Sequence, residues 1–358
     1  MTTQCAIDFH ARSQTIRWMT EGDGEIHSVL LNHETDDVRA FYASLPKPVI
    51  VGLESHGYTG WFEQMLSELG ITVRIGDAAR IRACKTRKQK NDDRDADLIF
   101  ELMTTERFPE IYRPTPESRT VLQQLRFRNN LVRARTRIAN SLVAIALSCG
   151  AVRRFSVLTT KGRRRMAALK MSEEQAWQRD RWFEFLDGLE PVITEVERKL
   201  EAEAKKDPRV CRLMTQKGVG VLTGLALVHV LGPPERFATS RKVAAYVGLD
   251  AVESQSGQRR HIGRISKQGS RLLRFLLVEA AQTSARCDPE LKAVYERLRR
   301  KKTHATAKVA IARRLLVRSW ILLRDQIDID EFRRRGRARC GVKPGQPEET
   351  HGLSMPVL

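Results

Sequence analysis

Around Pro109, Pro114 and Pro116 the chain changes texture, and no one architecture serves both sides of the change. Before these prolines the apolar runs are of strand length and bounded by turn residues. Residues 4–9 (QCAIDF) form a short apolar run ending near an acid, Asp8. Thr15–Met19 and Glu25–Leu31 read as the next two strands, joined by Gly22-Asp23-Gly24. Pro46 and Pro48 precede a buried-type strand, Val49–Leu53, which runs into Glu54. Trp61, Met65 and Leu69 then recur at helical spacing, and a strand follows at Ile71–Ile75. A helix starts near Ala78 and another near Asp92, the latter carrying Leu98, Ile99 and Leu102. Hairpins followed by alternating helix and strand give an α/β order.

Beyond the prolines the periods lengthen. Residues 117–148 carry Leu122, Leu125, Leu131, Ile138, Leu142 and Ile145 near helical spacing, with arginines 119, 126, 128, 133, 135 and 137 at polar positions. A second long helix, about 172–206, carries Trp182, Leu186, Leu189, Val192, Val196 and Leu200. The two are expected to pair, either as an antiparallel hairpin or as a coiled coil between subunits. The basic run 153–170 between them reads as a loop facing nucleic acid, with a merely solvated loop as the alternative. Gly218-Val219-Gly220 precedes an apolar helix, as in a turn whose amides can hold a phosphate. A Gly/Ser/Gln-rich loop at 248–270, helices at about 271–286 and 304–325, and a basic, flexible tail from Arg333 complete the chain. Trp182, Trp320, Phe237 and Tyr246 sit at apolar helical positions and read as core.

Charge follows the same division. The net charge is +20, yet residues 1–105 hold 12 Lys/Arg against 16 Asp/Glu, while the remainder holds 51 against 27. An acidic front and a basic back point to metal chemistry in one place and polyanion binding in another. The apolar segment Val221–Leu231 is too short to span a bilayer and is broken by Thr223, Gly224 and His229, and the N-terminus lacks signal-peptide order. The six cysteines have no zinc-like spacing, as expected for reduced thiols in a cytoplasmic protein.

Two constellations carry chemistry. Asp8 and Glu54 end strands, and Asp92 and Asp95 sit one helical turn apart, so the pair shares a face. Hard divalent cations need clustered oxygen ligands, and two such ions about 4 Å apart activate a nucleophile and stabilise a leaving oxygen. Taken singly, each acid suits a cap or a surface position. Taken together, they point to a site for a hard divalent cation. Asp93 and Asp97 flank the pair. His10 and His56, each two residues after a strand-end acid, read first as structural, with the metal site as the alternative. The second constellation is the loop 253–269, in which Ser256 precedes Gly257 with Arg259, Arg260, Arg264 and Lys267 nearby. A serine attacking phosphate needs an exposed backbone and nearby positive charge, although a phosphate-binding or merely polar loop has the same composition. His261 is open between a phosphate contact and a plain polar position.

Several pieces resemble the insertion sequence 110 group of bacterial transposases, the DEDD transposases guided by a bridge RNA. They are AIDFH, GLESHGYTG, KNDDRDADLI, QKGVGVLTGLAL, FATSRKVAAYVGLDAVESQSG and GRISKQGSRLLR. They occur in the family's order and spacing and cover most of residues 4–330. The resemblance implies a RuvC-like (ribonuclease H-like) domain over 1–108 and a helical linker or coiled coil over 109–210, for RNA and DNA binding and oligomerisation. It further implies a transposase domain with the catalytic serine over 211–330, then a basic tail over 331–358. Residue by residue it makes Asp8, Glu54, Asp92 and Asp95 the metal-holding tetrad and Ser256 the nucleophile. The sequence reads ESQSG where relatives often have adjacent aromatic, serine and glycine, so Ser254 stays a rival.

The implied activity is transposition: DNA cutting and rejoining through a phosphoserine link, in a composite site between subunits of a dimer or tetramer. The implied partners are element-end and target DNA and the bridge RNA, bound through backbone and shape by residues such as Arg126, Arg133 and Arg137. No membrane is involved, and the expected location is the bacterial cytoplasm and nucleoid. Two other readings fit the same residues: a RuvC-like hydrolytic nuclease using water, and a non-catalytic nucleic-acid scaffold.

Overall fold

The computed structural model describes residues 1–35, 37–85, 92–256 and 259–339. The chain forms two compact units, Met1–Arg113 and Pro114–Leu358.

In the first unit, β1 (Thr3–Phe9), β2 (Ser13–Thr20) and β3 (His27–Asn32) form a meander, followed by α1 (Asp37–Ser44), β4 (Val49–Glu54), α2 (Gly60–Glu68), β5 (Thr72–Gly76), α3 (Ala78–Ala83) and α4 (Asp92–Thr104). The sheet order is β3-β2-β1-β4-β5, with β1, β4 and β5 parallel and the meander antiparallel. Central β1 is apolar on both faces because both are covered. Cys5, Ile7 and Phe9 pack with Val51, Leu53, Tyr42 and Phe62 on one side, and Ala6 packs with Ile99, Phe100 and Met103 of α4 on the other.

In the second unit α5 (Pro116–Ser148) starts at an N-capping Thr115 with Pro116 in the first turn. The basic run after it is not all loop: α6 (Thr160–Ala167) forms there, capped by Thr159 and anchored by buried Met166. A capping box of Ser172 and Gln175 opens α7 (Glu173–Lys206). The two long helices pack antiparallel within the chain. Val121, Leu122 and Leu125 meet Val196 and Leu200, and Ile138 and Leu142 meet Leu186.

The chain continues through α8 (Pro208–Met214), α9 (Val221–Leu231), α10 (Ser240–Val247), β6 (Ala251–Ser256), β7 (Arg259–Ile265), α11 (Arg271–Cys287), α12 (Pro289–Arg299), α13 (His304–Arg324) and α14 (Ile329–Arg339). The segment expected as a polar loop is therefore largely the β6–β7 hairpin, and the start of the expected flexible tail is helical. One core, centred on α9, α11 and α13, includes residues from Val121 to Ile327. Trp320 and Phe237 are buried in it, Tyr246 packs against it, and Trp182 packs against the cluster around Leu186. Among the described residues no helix is long and apolar enough to cross a membrane.

Candidate active site

Strand register decides where the first two acids lie. Ile7 of β1 is the register partner of Leu53 of β4, so Asp8 and Glu54 follow together at the carboxyl ends of adjacent parallel strands. Side chains alternate across a sheet. Ile7 and Leu53 face α1 and α2, whereas Ala6 and Gly52 face α4. Asp8 and Glu54, two residues further on, therefore share the α4 face. The contact there is close: a Cβ on Gly52 would lie 2.1 Å from Met103 Sδ.

Met103 and Ile99 lie one turn apart on the sheet-facing side of α4, and Asp95 precedes Ile99 by a further turn. Asp95 is accordingly on that side, its side chain 17% exposed, and Asp92 begins the same helix three residues earlier. The side chain of Asp92 lies outside the described residues. Flanking Asp93 and Asp97 are held elsewhere, both by Arg17 of β2, at 3.1 and 2.6 Å.

Each of the three described acids has a basic neighbour. His10 Nε2 is 3.2 Å from Asp8 Oδ2, Arg82 is 4.0 Å from Glu54 Oε1, and Lys85 Nζ is 2.6 Å from Asp95 Oδ1. Asp8 is 8% exposed, so its charge needs such a neighbour or a metal. Among the described residues no three His, Cys, Asp or Glu side chains form a group able to hold a metal ion. The donors themselves suit a hard cation, being carboxylate oxygens on adjoining strand ends and a facing helix. Lys85 and Arg82 stand where such a cation would have to compete.

Sequence reasoning missed what lies beside these strand ends. Phe9 packs against Phe62 and His33, with ring centroids 5.2 and 4.8 Å apart, and His33 packs against Trp61 at 5.1 Å. Tyr58 and Trp61 are each about half exposed, and His56 stacks on Tyr58 at 5.5 Å. Burial lowers the His33 pKa, a hydrogen bond to the Ala11 carbonyl opposes that, and the charge of His10 adds to the lowering. Tyr58 and Trp61, each with its ring centroid 6.1 Å from that of Phe9, thus leave aromatic surface open beside the end of β1. Only the cluster of Tyr58, Trp61 and Phe62 just after Glu54 hinted at this in the sequence.

In the second unit the serine hairpin rises from a tightly built root. Gly248 has φ +75° and Gly269 +73°, a region that L side chains rarely adopt. A Cβ on Gly269 would lie 2.0 Å from the Tyr246 carbonyl oxygen, and one on Gly248 would lie 2.1 Å from that of Gln268. Ser266 Oγ donates to Asp250, and Arg274 donates to the carbonyls of Val247 and Gln268. From this root Ser256 is the last residue of β6, paired with Arg259, and Ser254 pairs with His261. Gly257 and Gln258, and the side chains of Ser254, Ser256, Arg259 and Arg260, lie outside the described residues. His261, Arg264 and Lys267 are exposed. In the Gly218 turn φ is +94° at Gly218, where a Cβ would lie 2.4 Å from Ser284 Oγ on α11, whereas a Cβ on Gly220 would meet open space.

The arginines of α5 divide by face. Arg128 pairs with Glu197 at 2.5 Å and Arg135 with Glu190 at 3.4 Å, tying α5 to α7. Arg126, Arg133 and Arg137 are exposed, and at about 100° per residue they fall within an arc of about 40°, roughly half a turn from the paired two. Among the described residues they have no acidic partner. The arrangement is a row of uncompensated positive charge about 16 Å long, from a rise of about 1.5 Å per residue.

Comparison with known proteins meets this geometry. Residues 5–148 match the family model of DEDD transposases of the IS110 type, and residues 211–296 match that of the IS116/IS110/IS902 transposase family. A probable family 20 transposase of Pseudomonas aeruginosa is 30% identical over 255 residues, covering 70% of this chain and 75% of the relative. The transposase for insertion sequence element IS1111A of Coxiella burnetii is 26% identical, covering 68% of each chain. That for element IS1328 of Yersinia enterocolitica is 29% identical, covering 68% of this chain and 72% of the relative. The chain belongs to the IS110 family of DEDD transposases, enzymes that cut and join DNA.

Proposed function

We propose that this transposase cuts and rejoins DNA at the ends of an insertion element with a divalent cation at Asp8, Glu54, Asp92 and Asp95 and with Ser256 as nucleophile. The observation that carries the reading is the register of Ile7 with Leu53, which sets Asp8 and Glu54 side by side on the face covered by α4. Bound there, Mg2+, or Mn2+ in its place, would supply positive charge against the oxygens of the scissile phosphate, as a pair of ions in the fullest form of the site. Asp8, Glu54, Asp92 and Asp95 are the residues that would hold it. We read the first unit as a RuvC-like nuclease domain, a reading that its mixed five-stranded sheet supports. Residues 109–210 then serve as the RNA- and DNA-binding helical linker, 211–330 as the transposase domain, and 331–358 as a basic tail.

In the chemical step Ser256 Oγ attacks phosphorus, a new O–P bond forms, and the bond to the departing deoxyribose oxygen breaks. The serine proton leaves and the departing oxygen takes one up. Rejoining is the same exchange in reverse, with a strand-end hydroxyl displacing Ser256. Arg259, Arg260, Arg264 and Lys267 are placed by sequence around the serine to offset the charge that develops on phosphate. The acids of one subunit and the serine of another would complete the site in a dimer or tetramer. Arg126, Arg133 and Arg137 would bind backbone phosphates, and a guide RNA would choose the DNA sites by base pairing, as in other guided systems.

Covalent capture tests this. The protein, co-expressed with the DNA that flanks its gene, is incubated with element-end DNA and magnesium and run on a denaturing gel. The expected result is an adduct whose phosphorylated peptide contains Ser256, lost together with joined product in Ser256→Ala. Loss only in Ser254→Ala would move the nucleophile to Ser254. Cleavage at full rate with no adduct would make the chain a hydrolytic nuclease.

A further inference from the structure

A cleft of about 610 Å3 opens in the second unit at the root of the serine hairpin. Its walls come from α5, α9, α10 and the start of α11, and its chemistry comes from Arg126, Asn129, Arg133, Tyr246, Arg271 and Phe275. No aspartate or glutamate lines it. Arg126, Arg133 and Arg271 are exposed and have no acidic partner among the described residues. Three arginines lining one cleft without a counter-charge make it a place that attracts an anion. The first turn of α11, a helix of 17 residues capped by Ser270, opens at the same place and favours an anion in the same position.

The cleft is not purely polar. Phe275 leaves 52% of its surface exposed, one turn along α11 from Arg271. Tyr246 lines the cleft too, with the Arg236 guanidinium stacked 4.2 Å from its ring centroid. A free inorganic anion has no use for an exposed phenyl ring. A nucleotide has use for both, its phosphate for the arginines and its base for the ring. A base within a duplex keeps its faces against its neighbours and cannot reach Phe275.

We propose that this cleft holds one unstacked nucleotide of a single strand, the phosphate between Arg126, Arg133 and Arg271 and the base on Phe275. The site would anchor a strand at the foot of the hairpin, roughly 20 Å from its tip for six residues at about 3.3 Å each. This rests on the reading of the chain as an enzyme acting on nucleic-acid strands. Binding is read without cleavage, so Ser256→Ala keeps it and the two readings fail separately.

The probe is a fluorescein-labelled oligothymidine, followed by anisotropy, with an oligouridine arm to tell DNA from RNA and a duplex arm as the contrast. Phe275→Ala should weaken single-strand binding about ten-fold and leave duplex binding unchanged. Arg126→Gln and Arg271→Gln should each lower the slope of log affinity against log salt by about 0.7. A 4-thiothymidine probe should photocrosslink to the tryptic peptide that begins at Phe275. The arm with the tighter binding and the stronger Phe275 effect names the strand. Equal loss of single-strand and duplex binding in Phe275→Ala, salt slopes unchanged by the arginine variants, or crosslinks confined to other peptides would overturn the proposal.

Discussion

Lys85 Nζ stands 2.6 Å from Asp95 Oδ1, so one of the four acids proposed to hold the cation is already neutralised by a side chain of its own unit. The pair is partly exposed, at 30% for the lysine and 17% for the aspartate. Contacts of this kind are worth up to about 1 kcal/mol. A divalent cation arriving at Asp95 must displace the ammonium. Lys85→Gln should therefore lower the half-saturating Mg2+ concentration for DNA cleavage by up to about five-fold, and a titration that leaves it unchanged would show that Lys85 does not compete.

His229 gives the fold a pH dependence of known sign. It is 7% exposed, with Nδ1 3.0 Å from Ser118 Oγ and Nε2 buried without a hydrogen-bond partner among the described residues. Burial is the main cause that holds its pKa below the usual 6.5, Arg209 adds to it, and Asp207 and Glu203 oppose it. The native state then keeps the ring neutral while the unfolded chain takes up a proton near 6.5. Its contribution is fully present above that pH and is lost as pH falls from there toward the depressed value. Thermal melts between about pH 7.5 and 5.5 should show a steeper decline for the wild type than for His229→Gln, whereas parallel curves would contradict this.

Among the described residues of the second unit, Asp288 is a buried acid with several partners. It is 1% exposed, caps α12 through Leu291 N–H, and accepts from Arg318 at 2.9 Å and Arg333 at 3.1 Å. Asp288→Ala leaves the Arg318 guanidinium, 7% exposed, without that carboxylate and should cost about 3–5 kcal/mol in urea unfolding. Glu290→Gln, at the exposed end of the same arginine, should cost less than about 1 kcal/mol. Equal costs would mean that burial is not what makes the pair matter.

The sequence was legible where burial imposes a period. β1 and β4 read as apolar runs, α5 and α7 as long helical periods, and the strand-end acids stood out because each terminates such a run. The β6–β7 hairpin did not, because AVESQS and RRHIGRI are largely exposed and carry no clear apolar alternation. In α6 only Gly162 and Met166 are buried, so eight residues rich in arginine gave no period to read. The partners of the acids were hidden for another reason. Lys85 and Arg82 meet Asp95 and Glu54 through tertiary packing, and nothing local in α3 announces it. The cleft at Arg271 and Phe275 likewise needs four helices to exist before its residues share a wall. The split between Arg126, Arg133 and Arg137 on one side and Arg128 and Arg135 on the other is written in the helical repeat, yet only Glu190 and Glu197 on α7 show which set is free.

Manganese binding decides whether the strand-end carboxylates hold a divalent cation. Free Mn2+ is titrated by electron paramagnetic resonance against the wild type and against the Asp8→Asn/Glu54→Gln double variant, with circular dichroism to confirm that both are folded. The wild type should deplete the free-ion signal and the double variant should leave it near that of buffer. If the folded double variant retained manganese as tightly as the wild type, the cation would sit elsewhere and these acids would not be its ligands.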